Sequence, residues 1–252
     1  IGVITNVSYA HLKNFKNIKQ IAMAKAEIMN IIIEGGAIVL NADDNFFNIH
    51  KKIASKKNLK IYSFSINKKN ANVSLNYIKK YKSKYKISVN VGNDKNYFFV
   101  SSNFESNIKN ILAAITVISI FKNIDKLRKN IFYKFKVPEG RGDISKIKVN
   151  NKNIFLIDES YNSNPLSVKS AIKNFDLIKT KTNKKHMILG DMLELGHRSK
   201  KFHKELSGII NSTSIDKVNV FGKYIKETYK NIYKNKKGLI LKETSQIIDL
   251  IN

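Results

Sequence analysis

The sequence predicts an α/β protein of two domains, the second doubly wound and Rossmann-like. Three observations carry this. Strand-like apolar runs alternate with segments of helical period through the second half. Several of these runs stop abruptly in polar clusters, as at Leu40-Asn41-Ala42-Asp43-Asp44, Ile157-Asp158-Glu159-Ser160 and Leu189-Gly190-Asp191, where α/β folds present ligand sites. The segment Phe135–Gly142, with Pro138 and two glycines, is the best break in the pattern and divides the chain into 1–137 and 138–252.

Composition narrows the function classes. The 252 residues carry a formal net charge of +27, which raises a polyanion as partner. Lysine, asparagine and isoleucine are abundant throughout, however, and even the alternating run from Tyr77 to Tyr85 fits an exposed strand; no nucleic-acid partner is expected. The absence of cysteine excludes disulfides, thiolate metal sites and cysteine nucleophiles. No apolar run reaches the roughly 18 residues of a membrane helix, and nothing at the start resembles a signal peptide, so a cytoplasmic protein without membrane contact is expected. Ile1 opens directly on a strand-like run, which points to a missing N-terminal portion.

In the first domain, Ile1 to Val7 reads as a short strand before a polar turn holding His11. Residues 18–33 have helical period, placing Ile18, Ile21, Ala22, Lys25, Ile28, Met29 and Ile32 on one stripe. Lys25 is the anomaly, and both a snorkelling lysine and a desolvated amine available for chemistry fit it. Glu34-Gly35-Gly36 ends the helix and Ala37–Leu40 forms a strand; Asp43 or Asp44 then edges a site or caps a helix over 45–56. Strands fill 59–101, and a buried helix opens near Ser106. Asn107 and Asn110, three residues apart, share a face near its start, where amides can read a base edge or satisfy helix-end groups. A further helix is expected over 124–133.

The second domain opens on Pro138-Glu139-Gly140-Arg141-Gly142-Asp143. Glycines on both sides of Arg141 let the backbone turn and leave a guanidinium uncovered, a fork suited to gripping phosphate with parallel hydrogen bonds. Ile154 to Ile157 reads as a buried strand running into Asp158-Glu159-Ser160-Tyr161-Asn162-Ser163-Asn164-Pro165, with Pro165 in the first turn of the next helix. The remaining expected elements are a strand at 145–149, a helix at 166–177, strands at 186–189, 217–221 and 238–241, and helices at 199–211, 223–233 and 244–251. His197 and His203 are six apart, poor spacing for a shared metal, and are expected at the surface or in a cap.

Taken together, Asp158 to Pro165 and Leu189-Gly190-Asp191-Met192-Leu193-Glu194-Leu195-Gly196 resemble the Mur ligase family, in particular its branch that adds D-alanyl-D-alanine. Ile4 to Val7, Ala10-His11-Leu12, Ala24 to Ile28, Leu40 to Asp44 and Asn110 to Ala114 follow the family's order. The resemblance implies a partial central ATP-binding domain followed by the family's C-terminal domain. It implies that ATP activates the carboxylate of a UDP-MurNAc-tripeptide as an acyl phosphate, which the amine of D-Ala-D-Ala displaces, with Mg2+ as cofactor. By position, His11 matches a magnesium ligand and Lys25 the lysine that is carbamylated to support a second magnesium. Asn107 and Asn110 match adenine contacts, and Arg141 the arginine on the nucleotide phosphates. Ser160, Tyr161 and Asn164 match residues near the transferred group.

There are departures from the pattern. Glu159 stands where the family usually has Asp. Gly222-Lys223-Tyr224 is not the Gly-Lys-Thr or Gly-Lys-Ser end of a phosphate loop, and no such loop occurs in the 252 residues. The expectation is a ligase whose N-terminal portion lies elsewhere; a noncatalytic remnant and a sibling Mur or folylpolyglutamate-type ligase are the alternatives.

Overall fold

The computed structural model of the protein describes residues 1–9, 14–135, 138–149, 152–179 and 184–250. The chain divides into two compact units, Ile1–Val7 with Phe15–Lys136, and Ser8–Asn14 with Val137–Asn252.

A six-stranded sheet organises the first unit, in the order β1 (Gly2–Ile4), β2 (Ala37–Asn41), β3 (Lys60–Ser65), β4 (Val73–Tyr81), β5 (Lys84–Val91), β6 (Asp94–Val100). The strands from β1 to β4 pair in parallel, and β4, β5 and β6 form an antiparallel meander. Every residue of β2 is buried, as its unbroken apolar run requires of a strand covered on both faces. Ile38 and Leu40 join Ile4, Ala26, Met29, Ala54 and Leu59 in one cluster, which takes in residues of α1 (Ile18–Ala26) and α2 (Phe47–Lys56). Val39 points the other way, into a larger cluster with Phe64, Val73, Ile87, Val89 and Phe98. That cluster is closed by Ile108, Leu112 and Ile115 of α3 (Glu105–Phe121).

Two helical expectations here need correction. The helix read over 18–33 ends at Ala26 and tightens into a 3-10 turn at Glu27–Asn30. The helix read over 124–133 is a 3-10 turn at Ile124–Lys126 followed by turns. There, the Asn123 side chain accepts from Asp125 N–H, and Ile131 N–H and Tyr133 N–H bond three residues back, to Arg128 and Asn130. Asparagine side chains that bond nearby backbone favour turns over helix.

The second unit begins with an antiparallel hairpin, β7 (Asp143–Val149) and β8 (Lys152–Asp158). The strand expected to be buried is present but open: Phe155 is 58% and Leu156 46% exposed, because a two-stranded ribbon has no layer on at least one face. After α4 (Pro165–Leu177) come β9 (His186–Gly190), α5 (Ser199–Asn211), β10 (Lys217–Phe221), α6 (Lys226–Asn231), β11 (Lys237–Leu241) and α7 (Gln246–Asp249). The three strands are parallel in the order β11-β10-β9. Phe202, Leu206 and Ile210 of α5 are buried on one stripe.

Asn219, buried in β10, accepts a hydrogen bond from Leu239 N–H at 2.8 Å. A Cβ on Gly238 would stand 2.2 Å from its Oδ1. Gly238→Ala should therefore push β11 off β10 and destabilise the protein by about 1–3 kcal/mol, read as a lower denaturation midpoint with an unchanged slope; an unchanged midpoint would contradict this packing.

Candidate functional site

The polar cluster after β2 is a set of backbone clamps. Asp43 accepts from Ser65 Oγ at 2.6 Å and Ile66 N–H at 2.7 Å. Asp44 accepts from Val7 N–H at 2.7 Å and Phe46 N–H at 2.8 Å. Both carboxylates thus tie together the ends of β1 and β3 and the start of α2. Asn107 and Asn110 do lie within the first turns of α3, the first half-buried and the second exposed.

Lys25 requires a correction. It is exposed, and Ala26 rather than Lys25 packs in the core. Since α1 stops one residue later, the long side chain emerges at the helix end instead of lying along a continued apolar stripe. Burial therefore offers no argument for a deprotonated amine at this position. His11 lies outside the described residues. Among those described, no three histidines or carboxylates gather as a metal shell.

In the second unit the segment around Arg141 is built against the end of β8. Gly142 N–H donates to Asp158 O at 2.6 Å, and Tyr161 N–H donates to Gly140 O at 3.1 Å. Gly140 N–H donates to Asp143 Oδ1 at 2.7 Å. Gly140 and Gly142 both have positive φ, 73° and 91°, the region that favours glycine. A Cβ on the first would meet Tyr161 at 3.1 Å, and on the second the Glu159 carboxylate at 2.9 Å. Arg141, between them, is exposed and carries its guanidinium 4.2 Å from the centre of the Tyr161 ring. No described carboxylate forms an ion pair with it.

The neighbouring groups differ in how free they are. The Asp158 carboxylate accepts from Ser160, and those hydrogen bonds from its side chain and backbone hold its pKa below the usual carboxylate range. Glu159 goes the other way: partial desolvation first, then the charges of Asp158 and Asp143, push its pKa up. Asn164 caps α4, its Oδ1 accepting from Leu166 N–H and Ser167 N–H while Ser167 Oγ accepts from Asn164 N–H. Only its amide N–H groups remain for a ligand. Pro165 occupies the first turn, as expected.

His203 corrects a further expectation, being wholly buried: its Nε2 accepts from Met192 N–H at 2.9 Å and its Nδ1 lies 2.7 Å from Ser199 O. Asp191, left without a role by the sequence, accepts from the backbone N–H groups of Lys223, Tyr224 and Ile225. The glycine of Gly222-Lys223-Tyr224 is explained by this clamp, because a Cβ on Gly222 would stand 2.6 Å from the Asp191 carboxylate. Asp191 followed thirty-odd residues later by a glycine at a strand end was the available signal, too weak to read without the pairing. A cavity of about 440 Å3 lies at the opposite end of these strands, where they begin, lined by Lys184, His186, Asp216, Lys217 and Lys236. The Lys217 and Lys236 ammonium groups there already donate to backbone carbonyls.

Glu159 binds its proton more tightly folded than unfolded, so its contribution to stability falls as pH rises from the ordinary glutamate value of 4.5 through the raised one. Glu159→Gln should raise the melting temperature near neutral pH, by about 1–3 °C given its exposure to solvent. Well below pH 4.5, where the carboxyl is protonated, the gain should vanish; an equal gain at both pH values would assign it to packing instead.

The geometry can be set beside known proteins. The model of the Mur ligase middle domain matches residues 1–118, and that of the Mur ligase glutamate ligase domain matches residues 145–251. The UDP-N-acetylmuramoyl-tripeptide–D-alanyl-D-alanine ligase of Rickettsia prowazekii is 31% identical over 95% of this chain and 54% of its own length. The ligase of the same name from Escherichia coli is 26% identical over 88% of this chain and 47% of its own. Among solved structures, MurF from Acinetobacter baumannii superposes with a TM-score of 0.83 at 22% identity, covering 99% of this chain and 52% of that one. MurF ligase from Thermotoga maritima in complex with ADP gives 0.80 at 23% identity, covering 99% and 54%. These structural matches establish the fold, and the chain spans about half the length of the relatives it matches.

Proposed function

Because this chain belongs to the Mur ligase family, whose middle and glutamate ligase domains it carries, we propose that it serves the ATP-dependent joining of D-Ala-D-Ala to UDP-MurNAc-tripeptide. The observation that carries this reading is Arg141: a guanidinium with no carboxylate partner among the described residues, at the tip of a turn that two glycines and two backbone hydrogen bonds hold in place. The ADP named with the Thermotoga maritima relative is in keeping with a phosphate ligand.

The reaction has two displacements. The tripeptide carboxylate attacks the γ-phosphorus of ATP, forming an acyl phosphate and releasing ADP. The amine of D-Ala-D-Ala then attacks the acyl carbon, inorganic phosphate leaves and the amine loses a proton. Little covalent work falls to the protein; positioning and neutralisation of phosphate charge do most of it. Arg141 supplies a planar fork of donors for the phosphates. Asn107 and Asn110 supply amides for the base, and Glu159 lies near the nucleotide. Ser160 and the free amide N–H groups of Asn164 stand by the transferred group, with the Tyr161 ring beside Arg141. Magnesium, with His11 and a carbamylated Lys25 as its holders, rests on family resemblance alone and would neutralise phosphate charge when bound. The reading places the protein in the cytoplasm, where its nucleotide-linked substrates are made, and it extends to peptidoglycan synthesis and cell division.

Two experiments test this reading in protein carrying every residue its gene encodes. Product formation from UDP-MurNAc-tripeptide, D-Ala-D-Ala and ATP should fall about 10- to 100-fold in Arg141→Lys, since a point charge does not replace a bidentate fork; unchanged turnover refutes the phosphate role. For Lys25, a short carboxylic acid should restore part of the activity lost in Lys25→Ala, and no rescue with the fold intact removes the carbamylation reading.

A further inference from the structure

Resting on the phosphate reading of Arg141, we propose that Tyr161 is a positioning residue whose ring, not its hydroxyl, orients Arg141 for the ligand. The guanidinium sits 4.2 Å from the ring centroid, within stacking range. A guanidinium directs all five N–H bonds in its own plane. A partner on its face restrains it without occupying a donor, whereas a carboxylate partner would compete directly with phosphate. Asp143, Asp158 and Glu159 are all close in sequence or space, and none of them pairs with Arg141. Asp143 instead accepts from Gly140 N–H, and Asp158 from Ser160 N–H.

The ring is itself fixed by the backbone. Tyr161 N–H donates to Gly140 O, one residue from Arg141, and the Gly140 α-carbon comes so close that an added Cβ would be 3.1 Å from the Tyr161 Cβ. Ring and guanidinium therefore leave the chain from two segments tied to each other, one just before β7 and one just after β8. Tyr161 is nevertheless 66% exposed, more than core packing of the ring would allow. A tyrosine kept only for its hydroxyl would not need its face against a cation, and no described group hydrogen-bonds that hydroxyl.

The stack can be read without any nucleotide. The chain has three arginines, Arg128, Arg141 and Arg198, so Nε–Hε nuclear magnetic resonance signals can be assigned by substitution. In the free full chain, the Arg141 Hε signal should be shifted upfield by the ring current and motionally restrained. It should stay so in Tyr161→Phe and move to the position of a free arginine in Tyr161→Leu. If Tyr161→Leu does not fold, the same stack is read from the other side, as a shift of the Tyr161 ring signals in Arg141→Ala. In the intact enzyme, Tyr161→Leu should lower kcat/KM for ATP about tenfold and Tyr161→Phe less than about twofold, while in an Arg141→Ala background Tyr161→Leu should cost nothing more.

An unmoved signal, Arg141 Hε in Tyr161→Leu or the ring in Arg141→Ala, overturns the stack whatever the kinetics show. A moved signal with kcat/KM unaffected by Arg141→Ala overturns the phosphate reading and the positioning role with it. A full tenfold loss from Tyr161→Leu in the Arg141→Ala background, or from Tyr161→Phe, assigns the tyrosine a direct role and overturns the inference alone.

Discussion

The second unit's site depends on two backbone hydrogen bonds, Gly142 N–H to Asp158 O and Tyr161 N–H to Gly140 O. They stitch the turn carrying Arg141 to the segment leaving β8, and they do so from both flanks. Each requires an approach that a side chain would block, on one side by Tyr161 and on the other by Glu159. The positive φ of both glycines comes from the same constraint. Arg141 is thereby presented with no ion-pair partner among the described carboxylates, and Glu159 is crowded beside two other carboxylates with its pKa raised.

Elsewhere in the molecule, carboxylates at strand ends do something quieter. Asp43, Asp44 and Asp191 each bind backbone N–H groups from distant segments, so their charge is satisfied by the fold. Asp176 behaves likewise, with Ser214 donating from both backbone and hydroxyl and holding its pKa down. Glu159 contrasts with all of these, since no hydrogen bond lowers its pKa and its neighbours repel its charge. A carboxylate that the fold has not satisfied is better placed to act on something outside it.

How much of this was legible follows from the range of the interactions. The strands β2, β9, β10 and β11 were readable because apolar runs bounded by glycine or polar residues are local signals. Pro165 in the first turn of α4 was readable for the same reason. Lys25 misled because the helical stripe was extended past Ala26, where the chain tightens into a 3-10 turn that local spacing does not announce. His203 was missed because its partners, Met192 N–H and Ser199 O, are backbone groups with no sequence signature. Ile154 to Ile157 was rightly a strand and wrongly buried, since burial depends on what packs above it. The Arg141 turn was visible from its glycines, but its dependence on Asp158 to Tyr161 was not, because a contact between segments some twenty residues apart leaves no period in the sequence.

The family resemblance and the geometry support each other without being the same argument. The first comes from ordered motifs across the chain, and the second from one guanidinium set over an aromatic ring with no described carboxylate paired to it. The most direct test is a crystal structure of the protein with ADP or a non-hydrolysable ATP analogue. Two guanidinium nitrogens of Arg141 should lie about 2.7–2.9 Å from phosphate oxygens, with the Tyr161 ring still against the guanidinium face. Nucleotide bound with Arg141 turned away from its phosphates would contradict the account.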